Sequence, residues 1–121
     1  KKKQIYETYK QAFNDLPVSM NPYSKESEPN FWLSCIMIDT ECSVTPTQIR
    51  EALEKENIES RPIWKPMHLQ PIFQGHEYVT VDAATDVGAE VFQRGLCLPS
   101  DVKITGEEIE RVIDIVKGCF K

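Results

Sequence analysis

Glycine is scarce in this 121-residue chain, with five copies, and none of them forms a GxGxxG turn or a Walker loop. Backbone cradles for phosphate are built from such turns, so the chain has no phosphate loop of its own. Histidine is scarcer still, with only His68 and His76. No GxSxG elbow accompanies them and no cysteine sits in a recognised catalytic setting, which leaves nucleophilic Ser/His or Cys/His catalysis without support. The four cysteines, Cys35, Cys42, Cys97 and Cys119, include no CxxC pair and no metal-like His/Cys spacing. They read as reduced thiols of a cytosolic protein, Cys35 and Cys97 as small core residues, and no metal is expected. Long apolar runs are also missing. The longest, FWLSCIMI at 31–38, is strand length and far short of the ~20 residues that cross a bilayer. The opening KKK is followed by QIYETYKQ rather than an apolar segment, so neither a signal peptide nor a membrane partner is expected, and the location expected is cytoplasmic. A concentrated positive field is absent too. The net charge is −5, and the 14 basic residues are scattered, which speaks against nucleic acid as a partner.

What is present is an alternation of helix and strand signals in a length suited to one domain over 1–121. Ile5, Tyr9, Ala12, Phe13 and Leu16 share one helical face within residues 1–16. Residues 17–30, rich in proline and serine, read as a loop, and FWLSCIMID as a central strand. At Val44-Thr45-Pro46-Thr47-Gln48-Ile49, Thr45 can cap, Pro46 suits the first helical position, Gln48 completes a capping box and Val44 can staple against Ile49. That helix should bury Ile49, Ala52 and Leu53 and end near Asn57, with a short strand following over 58–63. Ile104, Thr105, Glu108 and Ile109 repeat the same chemistry ahead of a helix over about 106–118. A helix is expected over 82–94, from a cap at Asp82 to a stop at Gly95. Leu96-Cys97-Leu98 reads as a strand that Pro99 ends. This order favours an α+β fold, a small sheet with helices packed on one face.

The chemically versatile side chains gather on WKPMHLQPIF, residues 64–73, a loop stiffened by Pro62, Pro66 and Pro71. Arg61, Trp64, Lys65, His68 and Gln70 offer cationic, stacking and hydrogen-bonding groups suited to an anionic, ring-containing ligand. The apolar members Trp64, Met67, Leu69, Ile72 and Phe73 also suit plain packing of a long connection, and both readings stand on composition alone. Glu54, Glu56, Glu59, Glu107, Glu108 and Glu110 lie on or beside amphipathic helices and read as solvated faces.

The run Glu59-Ser60-Arg61-Pro62-Ile63-Trp64-Lys65-Pro66-Met67-His68-Leu69-Gln70-Pro71 resembles a segment of the DegT/DnrJ/StrS family of sugar-nucleotide aminotransferases. NFWLSCIMID, PTQIREALEKENIESRP, EVFQRGLCLP and TGEEIERVIDIVK resemble further parts of it, so the likeness spans nearly the whole chain. The WKPMHLQP form is most similar to members that aminate 4-keto sugar nucleotides on the way to bacillosamine-type or perosamine-type sugars of bacterial surface glycans. The resemblance implies the C-terminal small domain of the fold-type I aminotransferase architecture, with a largely antiparallel sheet. It implies a parent enzyme that moves an amino group from glutamate, through pyridoxal phosphate, to a keto sugar nucleotide. The family's Schiff-base lysine and cofactor pocket lie in an N-terminal large domain, absent from this chain. The chain is therefore expected to be an inactive piece of a homodimeric enzyme, beginning within the helix that joins the two domains. It contains no catalytic and no cofactor-binding residue on this reading, and Lys65 does not match the cofactor lysine.

By resemblance His68 faces the sugar nucleotide, with Trp64, Lys65, Gln70 and Arg61 as further contacts. Arg61 and Arg94 are open between binding an anion and pairing with nearby acids, and the role of His76 stays open. The stretch HEYVTVDAATDVGA at 76–89 departs from the more glycine-rich form of relatives. A surface shaped to lie against a large domain should leave Phe31, Trp32, Trp64 and Met67 uncovered. The alternative class is a free-standing α+β module for ligand binding or dimerisation, without enzymatic activity.

Overall fold

The computed structural model describes residues 1–82 and 84–121. In chain order the elements are α1 (Lys2–Ala12), β1 (Val18–Met20), β2 (Ser34–Ile38), α2 (Pro46–Lys55), β3 (Arg61–Pro62), α3 (Val87–Arg94), β4 (Gly95–Leu98) and α4 (Gly106–Gly118). Two 3-10 turns, Met67–Leu69 and Pro71–Phe73, interrupt the loop between β3 and α3. The four strands form one antiparallel sheet in the order β1-β2-β4-β3. This is the expected α+β architecture, with FWLSCIMID supplying a strand that is flanked on both sides.

Alternation along the strands separates two faces. Ser34, Ile36 and Ile38 of β2 are buried, and in the register Ile36 stands opposite Leu96 and Ser34 opposite Leu98. That face meets Ile5, Tyr9 and Phe13 of the α1 segment, Ile49 and Leu53 of α2, and Ile109, Val112, Ile113 and Val116 of α4 in one core. Helix α3 adds no residue to this core. Cys35 and Cys97 were expected inside it, but they form a register pair on the opposite face, with Cys97 buried and Cys35 half-buried. The period-2 pattern places odd and even positions on different faces, and Ile36, Leu96 and Leu98 claim the core side.

Helix ends follow the local chemistry. Thr45 and Thr105 each close a complete capping box, with Gln48 and Glu108 returning the contact. The end of α2 is fixed by Asn57, at φ 58°, with Asn57 N–H donating to Glu54 O and Ile58 N–H to Leu53 O. Those two bonds are a Schellman closure with asparagine in the position usually given to glycine. Thr105→Ala is expected to lower stability by about 1 kcal/mol in urea denaturation, the usual cost of losing a cap. Glu108 is held below the ordinary glutamate range because it accepts the Thr105 N–H and hydroxyl contacts. Its folded pKa is depressed, so its contribution is complete above the unfolded value and fades as pH falls through the lower folded one.

Three expectations are corrected. Residues 17–30 are not all loop, since Val18–Met20 forms β1 along β2. Three residues between Pro17 and Asn21-Pro22 are too few to show a period, and their pairing is supplied by the neighbouring strand. The strand expected over 58–63 contracts to Arg61–Pro62. Pro62 lacks an N–H and is tolerated because β3 is the sheet edge. The helix expected from Asp82 crosses Ala83, which lies outside the described residues, and among those described it begins at Val87. Asp86 is its cap, accepting the Ala89 N–H at 2.9 Å, while Asp82 closes its own turn through Ala84 N–H and the Thr85 hydroxyl.

Candidate functional site

A groove of about 640 Å³ opens on the sheet face away from the core. Its walls include Trp32 and Leu33 before β2, the run Glu59–Lys65 through β3, Phe92 of α3, and Cys97–Asp101 leaving β4. Trp32 and Trp64 tilt against each other with ring centroids 6.1 Å apart. Both are largely exposed, at 63% and 65%. Lys2 reaches in from α1 and its ammonium donates to Trp32 O and Ser100 O. Arg61 stands on β3 opposite Cys97 and makes an exposed ion pair with Glu59 at 2.7 Å. Exposed pairs of this kind are worth little and exchange readily for another anion.

The structure brings Arg61, Trp64 and Lys65 together in this groove and places His68 and Gln70 outside it. His68 Nε2 lies 2.6 Å from Asp86 Oδ2, and its ring stacks on Tyr78 with centroids 3.7 Å apart. Asp86 therefore holds the start of α3 with one oxygen and the loop with the other. Its carboxyl is kept below the usual aspartate value, first by the Ala89 N–H and then by His68. Gln70 turns inward and its amide donates to Lys65 O at 3.2 Å, fixing the loop on itself. Asp86→Asn is expected to free residues 67–78 without unfolding the core, read as faster amide exchange in that segment with an unchanged unfolding midpoint.

Arg94 pairs with Glu90 at 3.2 Å, one turn apart on α3, and its Nε is buried without a partner among the described residues. So both arginines left open by the sequence are found on nearby acids. His76 is exposed, with Phe73 at 6.2 Å. Trp32, Trp64 and Met67 are uncovered as expected, whereas Phe31 is not. It is half-buried, packed at 5.1 Å on Tyr6 and 5.3 Å on Tyr23. Lys2, Phe92 and Ser100 were missed as groove residues, since they come from three separate parts of the chain, α1, α3 and the segment after β4, and nothing local marks them. Trp32 had been marked only as an uncovered surface.

Trp32, Trp64, Lys2, Lys65 and Arg61 suit a ring-bearing anion lying in an open groove. They do not make a complete site for a pyridine aldehyde cofactor. A Schiff-base lysine needs desolvation and an enclosing pocket, whereas Lys65 is exposed and Lys2 is engaged with two carbonyls. Among the described residues no group of three or more His, Cys, Asp or Glu could hold a metal, and no helix is long and apolar enough to cross a membrane.

Comparison with known proteins supplies the deciding observation. The sequence profile of the DegT/DnrJ/EryC1/StrS aminotransferase family matches residues 1–117. The chain belongs to this family. It is 35% identical over 121 residues to EpsN of Bacillus subtilis (strain 168), whose name describes a pyridoxal phosphate-dependent aminotransferase. It is 27% identical over 119 residues to the GDP-perosamine synthase of Vibrio cholerae. These alignments cover 99% and 98% of the chain but only 31% and 32% of the two relatives. Among solved structures, DesI in the presence of its TDP-sugar product superposes with a TM-score of 0.82 at 20% identity, over 98% of this chain and 30% of that one. Helicobacter pylori PseC, an aminotransferase involved in pseudoaminic acid biosynthesis, gives 0.75 at 19%, over 98% and 32%. At such identities these two establish the fold alone. The chain thus has the length of about a third of the family members it matches.

Proposed function

We propose that this chain is the C-terminal small domain of a pyridoxal-phosphate sugar-nucleotide aminotransferase and forms one wall of its substrate cleft. The observation that carries the reading is the uncovered Trp32–Trp64 groove in a chain matching a third of such enzymes. Further apolar side chains stand exposed elsewhere on the chain, with Ile72, Val79 and Val87 at 76%, 80% and 61%. A large N-terminal domain and a second subunit of a cytoplasmic homodimer would cover that surface.

On this reading the enzyme moves the amino group of glutamate to a keto sugar nucleotide, the 4-keto position being the one favoured. The product would serve bacterial surface-glycan synthesis. The cofactor, when bound, supplies the electron sink for that transfer, and its lysine lies in the large domain. The residues of this chain bind and orient. Lys65 and Arg61 offer charge to a diphosphate, Arg61 by releasing Glu59, and Trp64 with Trp32 offers a stacking face for a ring. His68 lies outside the groove and is carried over from the family resemblance as facing another part of the sugar nucleotide, with Asp86 and Tyr78 setting the ring so that only Nδ1 remains to be offered. Gln70 shapes the loop and is the weaker contact.

The test pairs two samples. The full-length protein carrying this chain, given pyridoxal phosphate, glutamate and a 4-keto sugar nucleotide, is expected to form an amino sugar nucleotide. The 121-residue chain alone is expected to give neither product nor aldimine absorbance. An aldimine at a lysine within these residues would overturn the assignment of the chain as a wall without a cofactor lysine.

A further inference from the structure

Cys35 and Cys97 are a pair of thiols to which the proposed function gives no role. They stand in register on β2 and β4, and Cys35 Sγ lies 3.5 Å from Cys97 Sγ. The backbone explains this proximity. Cys35 N–H donates to Asn21 Oδ1 and Cys35 O accepts from Asn21 N–H, both at 2.9 Å. In an antiparallel strand the N–H and C=O of one residue point to the same side, so Cys35 spends both on the β1 side and none on β4. Its pairing with Cys97 is therefore of the non-hydrogen-bonded kind, which brings opposed side chains closest. That arrangement, with Cα atoms about 4.5 Å apart, falls within the span a disulfide bridges, roughly 4.4–6.8 Å.

We propose that Cys35 and Cys97 form a redox modification site, a dithiol in the β2–β4 ladder that closes to a reversible cross-strand disulfide. Cys97 is buried, at 6% exposure, and borders the groove, the side from which the proposal has a small oxidant approach. The Cys35 thiol donates its proton toward Cys97, which favours thiolate on Cys97 and holds the proton on Cys35. With a low-molecular-weight disulfide as oxidant, Cys97 thiolate attacks one of its sulfurs and the other leaves as a thiolate that takes up a proton. Cys35 then loses its proton and attacks Cys97 Sγ, expelling the second small thiol. The protein gives up two electrons and two protons and the oxidant becomes two thiols. Cys42 and Cys119 stand apart from this pair, Cys119 Sγ donating to Ile115 O. Closing the bond draws the sulfurs from 3.5 Å to about 2.05 Å and moves the groove wall behind Arg61, which is Cys97's register partner on β3.

The experiment equilibrates the full-length protein carrying this chain, reduced beforehand, in buffers of reduced and oxidised glutathione, followed by acid quenching, alkylation and peptide mass mapping. One intramolecular link between the Cys35 and Cys97 peptides is expected, with the loss of two hydrogens and reversal by dithiothreitol. Cys35→Ser and Cys97→Ser should each abolish it, and Cys42→Ser/Cys119→Ser should keep it. Should either single variant fail to fold, the map of the unsubstituted protein decides. Both thiols remaining alkylatable, reaction stopping at a glutathione adduct on Cys97, or a link through Cys42 or Cys119 would each overturn the proposal.

Discussion

Gly95→Ala is expected to destabilise the chain by about 1–3 kcal/mol, the usual cost of forcing extra volume into a packed site. The residue marks the join of α3 and β4, and its backbone, at φ −98° and ψ 149°, is ordinary extended conformation open to any amino acid. Space is what is missing. A Cβ there would lie 2.4 Å from Ile63 Cγ1 and 2.5 Å from the backbone oxygen of Val91. Ile63 can rotate away, but the Val91 carbonyl moves only if the last turn of α3 opens. Because Ile63 also lines the groove, the same substitution should weaken binding of a groove ligand. The check is a urea titration together with ligand affinity, and unchanged values in both would contradict the geometry.

Leu53→Ala should cost more, about 2–5 kcal/mol, as large-to-small changes at sealed core positions do. Leu53 is fully buried and lies in the cluster where α2, α4 and the sheet meet. Its backbone oxygen also accepts the Ile58 N–H that closes α2, so local collapse around a smaller side chain is restrained. The denaturation midpoint should fall with an unchanged slope, since the surface exposed on unfolding stays nearly the same. A loss below 1 kcal/mol would mean that the cavity refills and that this part of the core is looser than its burial indicates.

The helices were legible because their signals are local. Thr45 with Gln48, and Thr105 with Glu108, carry their caps within four residues, and the stripes beyond them repeat at helical spacing. Strand β1 was not legible, since its existence depends on pairing with β2, where Val18 meets Ile38 and Met20 meets Ile36. The start of α3 was misjudged because Asp82 and Asp86, four residues apart, are equally good caps in sequence. The tertiary bond of Asp86 to His68 is absent from any local pattern. At the site, the loop announced Arg61, Trp64 and Lys65 through its composition. It could not show that His68 is held by Asp86 and Tyr78, nor that Lys2, Phe92 and Ser100 complete the groove. The placement of Cys35 beside Cys97 follows from strand register, which the sequence specifies only once both neighbours of β2 are known.

The proposed function requires the groove between Trp32 and Trp64 to lie against the sugar nucleotide in the assembled enzyme. The direct measurement is two half-reactions on the full-length protein carrying this chain, with and without Trp64→Ala. Loss of one stacked ring is worth about 1–3 kcal/mol, so KM for the keto sugar nucleotide should rise roughly 5- to 150-fold. Reaction with glutamate, which involves no such ring, should keep its rate. Equal kinetics of the two proteins toward the sugar nucleotide, or an equal loss toward both substrates, would contradict it.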